Sequence, residues 1–248
     1  MASKADNDIV VNLGLTQGYE FDSLGRIIRF YSTQVKDENT FDTIATNIFY
    51  DNNGNMIGKR SNSGVFYDTY YYEYYPNRKV KKETHCRETN SNLAGNEFKL
   101  GVQLILSQET FEYDSLTTTQ FKKKCLNDEG RIYKQGIINT NEKGKTVNEN
   151  YNFVVGWAKI VNEYKYDQAN RIIEKIIISN AGGDLKEKSI YEYDETGNLS
   201  GEKRFKNDKQ TQEISYLYDE TKKILKSQIT RYYLENRIGI IKFSYEFF

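Results

Sequence analysis

The segment Tyr191-Glu192-Tyr193-Asp194-Glu195-Thr196-Gly197-Asn198-Leu199 decides the fold, because the chain repeats it. Close copies are Tyr19-Glu20-Phe21-Asp22-Ser23-Leu24-Gly25-Arg26-Ile27 and Ile48-Phe49-Tyr50-Asp51-Asn52-Asn53-Gly54-Asn55-Met56. Looser copies begin at Tyr72, Lys124, Tyr164 and Tyr216. In most, aromatic residues of one parity precede the turn, as in Tyr191 and Tyr193, and therefore share one face of a strand. The next residue is usually Asp, whose short side chain accepts hydrogen bonds from amides ahead of it and opens a type I turn. Three residues later comes Gly25, Gly54, Gly130, Gly197 or Asn170, residues that tolerate the left-handed conformation closing such a turn with a bulge. Arg78 and Lys222 at that place predict looser turns. Five residues after the Asp position stands an apolar residue: Ile27, Met56, Val80, Ile132, Ile172, Leu199 or Ile224. The second strand begins there.

The turn-opening residues, at 22, 51, 75, 127, 167, 194 and 219, are separated by 29, 24, 52, 40, 27 and 25 residues. A gap of 52 is two periods, so a hairpin near Phe98 to Leu106 has lost its marker. The gap of 40 implies about 14 extra residues around Val147 to Lys159, by comparison with a period near 26. The links Lys36 to Thr40, Asn90 to Asn96, Asn139 to Lys145, Asn180 to Asp184 and Asn207 to Gln210 read as turns at the opposite end. After Asp219 the next period falls on Phe243-Ser244-Tyr245-Glu246, a final half-repeat.

About nine hairpins joined by short turns predict an all-β, antiparallel up-and-down meander over residues 1–248 as one domain, with residues 1–15 flexible or strand-like. So many strands must curl, so the expectation is a barrel-like or coiled sheet with a tyrosine-rich interior; closed and open forms both fit. Composition agrees: 21 Tyr and 13 Phe against a single proline, Pro76, favour strands.

The Tyr-x-Tyr-Asp-x-x-Gly-Arg/Asn-apolar pattern resembles the YD repeat of the RHS family, found in bacterial toxins, toxin-complex shells and animal teneurins. Short YD-like proteins of Bacteroides-type bacteria, some porin-like in fold, are similar to it as well. The resemblance covers nearly the whole chain and implies a continuous wrapped antiparallel sheet, in an exported or cell-surface setting. The self-cleaving segment and toxin tip of the larger members are missing. The stretch Met1 to Asp8 has neither the basic start nor the apolar core of a secretory leader.

The function classes narrow by chemistry. Lys and Arg number 35, as do Asp and Glu, so no net field steers nucleic acid to the chain. Clusters such as Lys79, Lys81, Lys82 and Lys122 to Lys124 fall on strand patterns and read as solvated. His85, the lone histidine, neighbours Cys86 on a strand, which sends the two side chains to opposite faces. Two cysteines and one histidine supply no zinc set, and Cys86 and Cys125 read as unpaired thiols. Asp22, Asp51, Asp167, Asp194 and Asp219 are explained by their identical place in each turn. Gly182-Gly183-Asp184 leads into no helix and is a turn. No catalytic residue, metal or cofactor is expected. Membrane insertion is not expected either, since outer-membrane strands carry an apolar outward band and these carry runs such as Glu202-Lys203-Arg204.

What remains is aromatic surface. Tyr70 and Tyr71 lie in the densest tyrosine cluster, where consecutive residues populate both faces and leave half of them outside the core. Tyr151, Phe153 and Trp157, the only tryptophan, fall in the apparent insertion, and repeat proteins tend to place insertions on their binding face. These five are the candidate binding residues, for a protein or carbohydrate partner. The sequence therefore predicts a non-catalytic binding or structural module. An outer-membrane barrel, or a hydrolase with a carboxylate pair in a barrel mouth, are the alternatives, and oligomeric state is left open.

Overall fold

A computed structural model describes residues 2–4, 10–12, 17–37, 40–62, 66–92, 98–221 and 223–246. Those residues form antiparallel strands joined up and down, without a helix among them. The repeat runs through two compact units, one of residues 15–113 and 124–133, the other of residues 1–14, 114–123 and 134–248.

The first unit strings together β3 (Gln17–Phe21), β4 (Ile27–Asp37), β5 (Thr40–Tyr50), β6 (Met56–Asn62), β7 (Tyr67–Tyr74), β8 (Val80–Asn90) and β9 (Leu100–Ser115), each paired with its chain neighbour. β10 (Gln120–Leu126) and β11 (Ile132–Thr140) have residues in both units. The second unit continues with β12 (Thr146–Phe153), β13 (Lys159–Tyr166), β14 (Ile172–Ser179), β15 (Leu185–Tyr193), β16 (Leu199–Lys206), β17 (Lys209–Tyr218), β18 (Leu225–Tyr232) and β19 (Arg237–Lys242). β1 (Ala2–Lys4) pairs with β19, and β2 (Val10–Asn12) pairs with β1. Among the described residues no pairing joins β3 to β9 or β2 to β11, so neither unit is a closed barrel.

The repeat turn is built as its chemistry dictates. Gly197 N donates to Asp194 O, Asp194 N donates to Asn198 O, and the Asp194 carboxylate accepts from the amides of Thr196 and Asn198. At Asp22 and Asp167 the residue four places on is an arginine whose Nε also donates to the carboxylate, at 2.7 Å in both. A bulge follows each turn, with Tyr193 opposite Leu199 but Glu192 opposite Gly201. Arg78 does not loosen its turn: it takes a φ of 63° and keeps the same two backbone bonds. Lys222 lies outside the described residues. The Asp219 turn is one residue longer, so Leu225 rather than Ile224 stands opposite Tyr218.

Two expectations about spacing are corrected. Leu116 to Thr119, not a hairpin near Phe98 to Leu106, forms the unmarked turn, and Leu100 to Leu106 are the start of β9. The 14-residue excess does not exist either. Asn141 opens a repeat turn of its own, with Gly144 N donating to Asn141 O and the Asn141 side chain accepting from Lys143 and Lys145. β12 and β13 separate it from the Asp167 turn, which puts both at the same end. The Asn127 turn, one strand earlier, sits at the other end of β11.

The second aromatic residue of the motif has a specific task. Tyr193 Oη donates to Ile172 O at 2.8 Å, and the β14–β15 register ends at Glu174 opposite Ile190. The hydroxyl thus satisfies the next carbonyl beyond the ladder. The same bond runs from Tyr50 to Ile27, Tyr74 to Met56, Tyr166 to Thr146, Tyr218 to Leu199 and Tyr245 to Leu225. In the Asp22 and Asp167 repeats the turn arginine also covers the following ring, Arg26 over Tyr50 at 4.5 Å and Arg171 over Tyr193 at 4.4 Å.

Replacing Tyr193 by Phe removes one hydrogen bond and is expected to cost about 1 kcal/mol, against about 2 kcal/mol or more for Tyr193→Ala, which also loses the ring. Urea unfolding measures both; a Phe variant as stable as the parent removes the hydroxyl from the account. Gly197, at φ 90°, is expected to lose about 2 kcal/mol as Val. Arg78→Gly relieves strain of about 1–2 kcal/mol but loosens the unfolded chain by about 0.4–1 kcal/mol, so the same melts should show a small gain.

Candidate functional site

The five candidate aromatics do not converge. Tyr70 and Tyr71 alternate across β7. Tyr70 stacks on His85, centroids 4.2 Å apart and rings nearly parallel, with Lys59 Nζ 4.4 Å from its ring centroid. Tyr71 enters a buried polar cluster on the opposite face. Both rings are half-buried, so this part of the cluster is not the outside surface expected of it.

That cluster is centred on Glu88, which has no exposed surface. Its carboxylate accepts from Tyr71 Oη at 2.6 Å, Thr69 Oγ1 at 2.7 Å, Gln103 Nε2 at 2.7 Å and Arg60 Nε at 2.9 Å. Burial alone pushes the Glu88 carboxyl up, but these donors and the Arg60 charge outweigh it and hold it below the usual range. A second buried carboxylate, Glu202, is gripped by Arg204 through Nε at 2.6 Å and Nη2 at 3.0 Å, and takes a third bond from Tyr216 Oη at 3.3 Å. Burial, then the Glu202 charge, pushes the Tyr216 phenol up to about 12, so it stays a donor at neutral pH. Glu202, Arg204, Lys175, Ser189 and Gln212 line a hollow of about 500 Å³ on this unit. The repeat tyrosines on this face are half-buried rather than interior, and the most deeply buried groups include carboxylates that the sequence did not single out. The one available signal was parity: Glu202 stands opposite Tyr191 on the face of the repeat tyrosines.

The turn aspartates carry no open chemistry. Asp22, Asp167 and Asp219 are held below the usual carboxylate range first by backbone amides, and Asp51 and Asp194 first by the side chains of Asn55 and Thr196. His85 and Cys86 face opposite ways, Cys86 buried and pushed up by burial. Cys86 and Cys125 form no disulfide. Among the described residues no three His, Cys, Asp or Glu side chains are grouped to hold a metal ion.

The remaining candidates lie on β12 and its loop to β13. Tyr151 stands opposite Gly136, where an added Cβ would meet Asn150 O at 2.7 Å as well as the ring, so the tyrosine packs flat on the bare backbone. Lys134 Nζ lies over both Tyr151 and Phe153, at 5.5 and 5.7 Å. Both rings are half-buried. The loop behaves differently: closed by Phe153 N to Ala158 O, it holds Val154, Val155 and Trp157 at 58%, 84% and 94% exposure. Trp157 also has a φ of 57°, a conformation that bulky residues rarely adopt. Its exit is fixed by Asn180, whose side chain accepts from Lys159 N at 2.6 Å. The tip is thus an apolar projection on a tethered base.

No family model and no curated protein matches the chain. Among solved structures it is similar to a porin-like protein from Bacteroides uniformis, at 12% identity and a TM-score of 0.42, over 97% of this chain and 95% of the other. A porin-like protein from Bacteroides vulgatus aligns at 10% identity and 0.31, over 97% of each. A TcdB2-TccC3-TEV structure aligns at 12% and 0.28, over 92% of this chain and 14% of that one.

Removing the Glu88 side chain leaves Arg60 without its buried partner and is expected to cost about 3 kcal/mol. The pH dependence has a defined sign. A carboxyl held below its unfolded value of 4.5 stabilises fully above that value and loses the contribution as pH falls through the lower folded one. The stability gap between parent and Glu88→Gln should therefore narrow on acidification below about pH 4.5. Urea melts across that range test it, and a constant gap would refute the assignment.

Proposed function

We propose that the chain is a non-catalytic binding module of the YD-repeat kind, working outside the cytoplasm, and that it recognises a protein or glycan through the Val154 to Trp157 tip. The observation that carries this reading is Trp157 itself. A tryptophan at positive φ costs about 1–2 kcal/mol, and one at 94% exposure recovers almost nothing by burial in its own chain. Two costs without an internal return fit a residue kept for an external contact, and Trp is the side chain most enriched at the centres of such contacts. Its flat, amphipathic ring suits the apolar face of a sugar or a shallow protein pocket.

The absence of an enzyme's equipment at this tip supports the same reading: no acid, base or nucleophile stands in the 154–158 loop. Charged residues exposed along β13, Lys159, Glu163 and Lys165, weigh against an outer-membrane barrel, whose outward strand positions are apolar. The hydrolase alternative loses its carboxylates to turn and core hydrogen bonds.

Trp157→Gly separates recognition from folding. It should raise stability slightly in urea melts, because glycine accepts the backbone angle, while abolishing retention on immobilised bacterial envelope glycans and envelope proteins. A loss of stability by about 2 kcal/mol would instead make Trp157 a packing residue. Unchanged retention would remove the tip from the site, and a parent that neither probe retains would count against the binding reading.

A further inference from the structure

The first half of β9, Leu100-Gly101-Val102-Gln103-Leu104-Ile105-Leu106, is exposed along its whole length. Its large apolar residues are among the most open in the chain, with Val102 71%, Leu104 58%, Ile105 57% and Leu100 48% exposed. On one side this stretch pairs with β8, from Leu100 opposite Asn90 to Ser107 opposite His85. On the other side its chain neighbour cannot reach it. β9 has sixteen residues and β10 only seven, and the tight Leu116 to Thr119 turn aligns the start of β10 with the end of β9. Among the described residues a seven-residue strand leaves the far half of β9 uncovered on that side, with backbone donors and acceptors along its edge.

Edge strands in natural proteins are blunted by charge, proline or brevity. This one has none of these: from Leu100 to Gln108 no residue is charged and none is proline. Its two bulges, near His85/Cys86 and Glu88/Asn90, leave a regular stretch around Gln103 to Ile105.

We propose that this edge pairs with the same edge of a second copy, antiparallel about a twofold axis near Gln103. The sequence is self-complementary in that register. Leu100 faces Leu106 and Val102 faces Leu104, while the backbone of Gln103 meets that of its own copy. An uncharged strand suffers no repulsion on meeting itself, which a peptide of unrelated sequence would have to match by chance. The antiparallel arrangement is isologous, so pairing through this edge closes at two copies. Seven paired residues span about 24 Å. That is a small interface, so the dimer should dissociate on dilution.

Sedimentation of the purified chain across a hundredfold range of concentration is the test. A monomer–dimer equilibrium is expected, moved at least tenfold toward monomer by Leu104→Lys, which places like charges beside the axis. Leu234→Lys, at a residue more exposed at 76% but in the β18–β19 turn, should leave the equilibrium unchanged. Gln103→Cys should form a disulfide-linked dimer under mild oxidation, and Leu234→Cys should not. A parent that is monomeric throughout, a dimer indifferent to Leu104→Lys, or assembly beyond two copies would each overturn the proposal. Circular dichroism of the variants confirms that each stays folded.

Discussion

A carbonyl left over at the end of a ladder constrains everything else in this chain. Each bulge after a repeat turn starts the next strand pairing two residues late, and the stranded carbonyl would otherwise face neither a partner strand nor open water. The tyrosine hydroxyl of the following repeat reaches back to it in six places, from Tyr50 to Tyr245. One side chain thus fixes the register, fills the half-buried face with a ring and ties each hairpin to the one before it. The aspartate that follows the tyrosine in the motif does the complementary work inside the turn. Because both devices are local, the fold is assembled from nearest-neighbour links, as in other repeat proteins.

The buried carboxylates show how such a sheet tolerates polarity at its centre. The oxygens of Glu88 and Glu202 are occupied by Arg60, Tyr71, Thr69 and Gln103 in one case and by Arg204 and Tyr216 in the other. A fully satisfied network is sensitive to geometry in a way that an apolar patch is not. Few of the described residues are completely buried, so these networks supply specificity where close-packed hydrophobic volume is scarce.

The strand pattern, the turn chemistry and the tyrosine parity were legible in the amino acids, because each follows from a period of two or from a backbone angle only a few residues accept. Phase was harder. Asn141 escaped notice because Ile138-Asn139-Thr140 precede it in place of paired tyrosines, and Thr146 takes the place of the apolar marker. The Asn127 turn has the motif's outline but Leu126 where the linking tyrosine would stand, and it belongs to the other end of its strand. Counting from it created an insertion that is not there. Trp157 was found for that mistaken reason and stands exposed for a different one. Arg78 shows the limit of residue preferences: the two backbone bonds of its turn hold it where glycine would be more comfortable. Tyr71 and Glu88 were illegible because the partners lie on different strands and only the register brings them together.

The repeat turns give the two ends of the second unit unequal freedom to vary. At the end carrying Asn141, Asp167, Asp194 and Asp219, sequence is fixed by the carboxylate or amide, the left-handed residue and the tyrosine that arrives from the next hairpin. The turns at the other end, 154–158, 180–184, 207–208 and 233–236, share no such grammar and hold their flanks with little more than an asparagine side chain, as Asn180 and Asn207 do. Drift is thereby channelled. One end preserves the architecture while the other can exchange loops of different length and chemistry, so a lineage of such chains could change what it touches without relearning how to fold.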